Sequence, residues 1–227
     1  LPINSSTLLV EIAETTCREK AMKIGVIGAG GIGGTIGTHW AKAGHQVLFS
    51  SRNPEKLSEL VATAGETAQA GTIAQAGAFS DVIFLACYYW TIDEAISAAG
   101  GLDRKIIIDA TNPYMRKDDT NYRVPDASSG LELAAKVPTA KVVKAYNTLP
   151  TATFANEAHR ADPIALFYCG DDGEAKAIVS QLITDSGFAG IDTGDLNQVI
   201  HQEPGGVLYN HSYSVAEAQK LVRSLVH

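Results

Sequence analysis

Met22-Lys-Ile-Gly-Val-Ile-Gly28-Ala-Gly30-Gly-Ile-Gly33-Gly-Thr-Ile-Gly37, followed after a helical run by Gln46-Val-Leu-Phe-Ser-Ser51-Arg52-Asn53-Pro54-Glu-Lys56, is the stretch that decides the fold. An apolar run, Ile24 to Ile27, leads directly into G-x-G-x-x-G at Gly28, Gly30 and Gly33. Helical patterning continues through Trp40 and Ala43 to Gly44, and a second apolar run begins at Val47. Strand, glycine turn, helix and strand follow in the order that a dinucleotide-binding unit requires. Gly28 suits the tight turn off the strand. Gly30, with no Cβ, lets a pyrophosphate approach the backbone, and Gly33 allows close packing of helix on sheet. The unpaired N–H groups at the helix start then favour an anion.

The end of the second strand selects the dinucleotide. About twenty residues past the glycines, an NAD site carries Asp or Glu for the ribose hydroxyls. Ser51-Arg52 stands here instead, with Lys56 close behind. A guanidinium fork, a hydroxyl and an ammonium suit a 2′-phosphate, so NADP(H) is the expected cofactor.

Working outward, apolar runs alternate with helical patterns. Strands are expected at 68–71, 81–86, 105–110, 141–145, 164–169 and 188–192. Helices are expected from Pro54 to Ala64, from Thr72, from Ile92 to about Ala99, from Ser128 to Val137, from Gly170 to Ser186 and from Ser214 to Val226. Residues 114–127 and 195–210 read as loops. The fold class is therefore α/β, with a doubly wound, mainly parallel sheet and a short C-terminal helical segment. Ligands of such sheets bind at the carboxyl ends of the strands. Those ends are Gly28–Gly33, Ser51-Arg52, Cys87–Trp90, Thr111-Asn112 and Tyr146–Thr148.

The 227 residues suit one domain, here 22–227, preceded by an extension at 1–21 with a helix expected over 6–20. The extension lacks the basic start and long apolar core of a signal peptide. No run is long enough to span a bilayer. A net charge of −7 without a Lys/Arg run argues against nucleic acid. Cys17, Cys87 and Cys169 are widely spaced, and neither they nor the six His show metal-ligand spacing. Free thiols in a reducing compartment, no metal and a cytoplasmic location are the expectation.

The combination I-G-x-G-x-I-G-G, S-S-R-N-P-E-K, D-A-T-N-P, S-S-G-x-E, K-V-V-K-A-Y-N-T and C-G-D-D-G-E-A-K resembles the coenzyme F420-dependent NADP oxidoreductases over Met22 to about Asp192. The same Rossmann fold serves as the cytosolic reductase domain of certain membrane ferric reductases. The resemblance implies hydride transfer between NADPH and an acceptor ring, a deazaflavin or flavin, stacked on the nicotinamide. It implies NADP contacts at Ala29, Gly30, Gly31, Ile32, Ser51, Arg52 and Lys56. It places Cys87, Tyr88, Asn112 and Asn147 near the nicotinamide. It also implies a homodimer formed through the C-terminal part, about 195–227.

Hydride passage between stacked rings needs closeness rather than a side-chain acid, so no catalytic residue is expected. Asn197 to Tyr209, with Gln202-Glu-Pro-Gly-Gly206, departs from the family's acceptor-side sequence. Two other functions stay open. One is reduction of a small carbonyl or imine, with Tyr88, Tyr114 or His201 as proton donor. The other is a non-catalytic NADP-sensing module that contacts a partner protein.

Overall fold

The computed structural model describes residues 21–225. The helix expected over 6–20, and Cys17, lie outside the described residues.

Eight strands form one sheet: β1 (Lys23–Ile27), β2 (Gln46–Ser50), β3 (Ala68–Gly71), β4 (Val82–Leu85), β5 (Ile106–Asp109), β8 (Lys141–Ala145), β9 (Ala165–Gly170) and β10 (Ala189–Asp192). Their order across the sheet is β10-β9-β8-β5-β4-β1-β2-β3. All neighbouring pairs are parallel except β8 with β9. Central strands read as unbroken apolar runs because both faces are covered. Ile24, Val26, Trp40, Phe84, Tyr146 and Phe154 belong to the core of one face, and Ile27, Ile83, Leu85, Ile107 and Leu133 to that of the other.

The helices are α1 (Gly31–Lys42), α2 (Ser58–Ala64), α3 (Ile73–Phe79), α4 (Ile92–Ala98), α5 (Ser129–Lys136), α6 (Thr151–Asn156), α7 (Gly173–Asp185), α8 (Val199–Gln202) and α9 (Val215–Leu225). Side chains fix several starts. Thr72 and Gln75 form a reciprocal capping box at α3, Ser128 accepts from Leu131 N–H at α5, and Asp172 accepts from Ala175 N–H at α7. After β3 the chain crosses back to lay β4 on the other side of β1. That reversal is the topological switch point, where such sheets open a crevice.

Two expectations are corrected, and one element is added. Residues 114–127 contain an antiparallel hairpin, β6 (Tyr114–Lys117) with β7 (Thr120–Arg123), in place of an irregular loop. Its turn is Asp118-Asp119, where Asp118 adopts φ 52° and Arg116 Nη2 lies 2.7 Å from Asp119 Oδ1. Both strands are mostly solvated, so they carry no apolar period to read. Helix α6 was not expected, because six residues with one deeply buried side chain, Phe154, are too short to show a period. The 195–210 stretch contains a 3-10 turn, Leu196–Gln198, and α8.

Candidate functional site

A cavity of about 670 Å³ opens at the switch point. Its walls are the carboxyl ends of β2, β1, β4 and β5, with residues of the hairpin and α6. From Ser51 after β2 to Asn112 after β5 is three strand spacings, on the order of 14 Å. That suits a ligand laid across the sheet.

At the centre is the glycine turn. Gly28 adopts φ +98°, and a Cβ there would sit 2.7 Å from the Ala86 carbonyl group, so β1 and β4 could not approach with any other residue. Gly30 behaves differently: a Cβ built on it meets nothing within 4 Å. Its missing side chain serves no packing need of the protein, and the space belongs to the cavity that Gly28, Ala29, Gly30, Gly31 and Ile32 line. Helix α1 begins here without a side-chain cap and without an acid in its first turn. Its N–H groups and partial positive charge are therefore left to an anion in the cavity. This open cradle fits a pyrophosphate. Gly33 does not line the cavity; a Cβ there would lie 2.0 Å from Gly28 O, so it serves helix–strand packing.

At one end lie Ser51 and Arg52. Ser51 Oγ accepts from Asn53 N–H at 3.1 Å, which leaves its own proton to donate. Arg52 is exposed and joins no salt bridge among the described residues. Lys56 is exposed on the following turn and lies outside the cavity wall.

The other end is formed by Cys87, Tyr88, Trp90, Thr111, Asn112, Tyr114 and Asn121. Burial, before any other influence, pushes the Cys87 thiol up to about 11. Tyr89 donates to Glu132 Oε2 at 2.5 Å; burial and then this bond push its hydroxyl up to about 12. Tyr88 is 66% exposed and stacks flat on Trp90, with centroids 4.5 Å apart. Asn147 is not at the wall. It is buried one layer behind, where its Nδ2 donates to Asn112 Oδ1 at 3.1 Å while Asn112 Nδ2 donates to the Asn147 carbonyl at 2.9 Å. His201 also lies outside the cavity.

Two features escaped sequence reasoning. Thr151, at the start of α6, lines the cavity and would sit 3.1 Å from a Cβ on Gly31. No local motif marks it. The second is a buried ionic cluster beneath Thr111. Lys144 is fully buried, and its Nζ lies 2.9 Å from Asp109 Oδ2, 2.7 Å from Ser129 Oγ, 2.6 Å from Thr111 O and 3.2 Å from Glu203 Oε1. A lysine and an aspartate inside otherwise apolar strands, K-V-V-K-A and I-I-I-D, were the available signal, since buried charges require partners.

Residues 23–113 match the family described as NADP oxidoreductase, coenzyme F420-dependent. A putative F420-dependent NADP-reductase from Arthrobacter sp. shares 26% identity at a TM-score of 0.72, covering 86% of this chain and 100% of that one. Over residues 23–113 the chain carries the pattern of the coenzyme F420-dependent NADP oxidoreductase family. The matched region contains the glycine turn, Ser51-Arg52, Cys87-Tyr88 and Asn112, and it ends at Pro113, where the hairpin begins. A hypothetical protein from Sinorhizobium meliloti is also similar, at 27% identity and a TM-score of 0.76, covering 88% of this chain and 98% of that chain. The metalloreductase STEAP3 of Rattus norvegicus is 30% identical over 178 residues, 78% of this chain. The chain spans 35% of that relative's length. No helix among the described residues is long and apolar enough to cross a membrane. Among the same residues no group of three or more His, Cys, Asp and Glu is placed to hold a metal ion.

Proposed function

We propose that this protein transfers hydride between NADP(H) and a planar acceptor ring, a deazaflavin or flavin. The observation that carries the reading is the division of the cavity. One end offers phosphate donors, and the other offers amides, aromatic faces and a thiol held protonated. The cofactor, when bound, supplies the hydride. Gly30, Gly31 and Ile32 hold the pyrophosphate through backbone N–H groups. Ser51 and Arg52 take the 2′-phosphate, and Lys56 adds a longer-range attraction. Cys87, Tyr88 and Asn112 border the nicotinamide, with Asn147 fixing the Asn112 amide from behind. Such a site works by positioning and by excluding water. Nothing in it needs a side-chain acid: the Tyr89 hydroxyl is engaged by Glu132, and Cys87 keeps its proton at neutral pH.

A screen of NADPH oxidation against flavin mononucleotide, a deazaflavin and a panel of ketones and imines tests this. Turnover with the ring acceptors is expected. Turnover with carbonyls or imines alone would move the function to that class, with Tyr88 or Tyr114 as proton donor, since both line the cavity. Tight NADPH binding without any turnover would mark a sensing module. We also infer a homodimer through the 195–227 segment, supported by the exposure of Ile200 and Val207 there. Light scattering of the full chain checks it, and a monomeric mass would refute it.

A further inference from the structure

Gln202, Glu203 and Asn210 tie the end of the 196–210 segment by buried polar contacts to the nicotinamide end of the cavity. Glu203 is 4% exposed. Its Oε1 accepts from Ser129 Oγ at 2.9 Å and from Gly130 N–H at 3.0 Å, and it lies 3.2 Å from Lys144 Nζ. Lys144 in turn donates to Asp109 and to the Thr111 carbonyl. Asp109 Oδ1 accepts from the Thr111 N–H at 2.9 Å and from its hydroxyl at 2.7 Å. Thr111 and its neighbour Asn112 are cavity wall. Two further ties run in parallel: Asn147 Nδ2 donates to the Gln202 carbonyl at 2.9 Å, and Asn210 N–H donates to the Thr148 carbonyl at 2.7 Å. Buried atoms without a partner lie along the same seam: Asn147 Oδ1, Thr148 Oγ1 and Gln202 Oε1.

A cluster of this kind acts as a unit. Removing one member leaves a buried charge without its counter-charge, and the remaining groups rearrange. Here the group that rearranges carries Thr111, and the segment that loosens is 196–210. We propose that Glu203 is a positioning residue for the nicotinamide end. Through Lys144 and Asp109 it sets the Thr111-Asn112 wall, so that docking of the 196–210 segment and binding of the nicotinamide half are one linked equilibrium. This rests on the reading that Asn112 borders the nicotinamide and Arg52 the 2′-phosphate. Linkage is reciprocal: what the segment does for the nicotinamide, the nicotinamide does for the segment.

Hydrogen exchange of the wild-type chain, with NADP⁺ and with 2′,5′-ADP, tests the proposal without a mutation. The second ligand carries the adenosine half and its 2′-phosphate but no nicotinamide. Amides near Ser51 and Arg52 should slow with both ligands, and amides of 196–210 with NADP⁺ alone. Equal protection of 196–210 by both ligands, or by neither while both bind, overturns the inference and leaves the cofactor reading standing. Failure of both ligands to bind overturns the cofactor reading, and the inference with it. Calorimetry on Glu203→Ala and Glu203→Gln gives a second readout. NADP⁺ affinity should fall about tenfold in Glu203→Ala, with a smaller loss in Glu203→Gln, which can still accept from Gly130 N–H. Affinity for 2′,5′-ADP should be unchanged in both. An equal loss for both ligands would show that Glu203 only supports the fold. If Glu203→Ala does not fold, Glu203→Gln and the wild-type exchange decide.

Discussion

Gly30 and Gly33 stand three residues apart in one motif and serve opposite partners. A side chain on Gly30 meets no protein atom within 4 Å, whereas one on Gly33 meets the Gly28 carbonyl at 2.0 Å. Gly30→Val should therefore fold with an unchanged Tm and lose cofactor affinity by about 100-fold or more, since the added methyls occupy the pyrophosphate's place. Gly33→Ala should lower Tm first, because α1 must move off the sheet. A thermal melt with a cofactor titration on each variant separates the two; a Gly30→Val protein that binds normally would refute the cradle. Residues of this kind were legible in the sequence because their spacing is local. Lys144 and Glu203 were not, because their meaning lies in partners far along the chain: Lys144 with Asp109 across 35 positions, and Glu203 with Ser129 across 74. Asn147 was legible as a strand-end amide but not as one turned behind Asn112.

The hairpin β6–β7 is the element that the sequence concealed and the site needs. It brings Tyr114 and Asn121 to the cavity, and it follows directly on the wall residue Asn112. Its strands bury little, so no apolar alternation betrayed them, whereas β1, β4 and β5 announced themselves through continuous apolar runs. A two-stranded hairpin has little stability of its own, so its tip can be shortened without unfolding the sheet. Replacing Arg116–Asn121 by Gly-Gly should leave NADP⁺ affinity within about threefold and raise the acceptor KM about tenfold. Steady-state kinetics at saturating NADPH gives the second value, and an unchanged KM would remove the hairpin from the acceptor side.

Across the whole molecule, burial that builds the doubly wound core also makes stability depend on pH at the alkaline end. Cys169, fully buried on β9, has its thiol pushed by burial from 9.0 up to about 12. A raised folded value contributes stability that is complete below pH 9 and is lost as pH rises toward 12. The loss is about 1 kcal/mol per pH unit above 9, or roughly 2–4 °C of Tm. Cys169→Ala should flatten that part of the decline in a series of melts from pH 8 to 11; an identical slope would show that Cys169 takes no part. The sheet order itself was legible only as a class. The strand–helix alternation implied a doubly wound fold, but not the antiparallel β9, whose pairing with β8 is set by tertiary packing. What the order produces is a cavity with Ser51 and Arg52 at one end and Cys87, Tyr88 and Asn112 at the other, which we propose to be the phosphate and nicotinamide ends. The most direct measurement is a calorimetric titration of NADP⁺ and NAD⁺ into the wild type and Arg52→Ala. A charge-assisted contact of about 1.5–3 kcal/mol, with smaller additions from Ser51 and Lys56, predicts that the wild type prefers NADP⁺ by roughly 10- to 1,000-fold. Arg52→Ala should lose most of that preference while NAD⁺ binding stays nearly untouched. Equal wild-type affinities for the two cofactors, or an equal loss of both in the variant, would contradict the account.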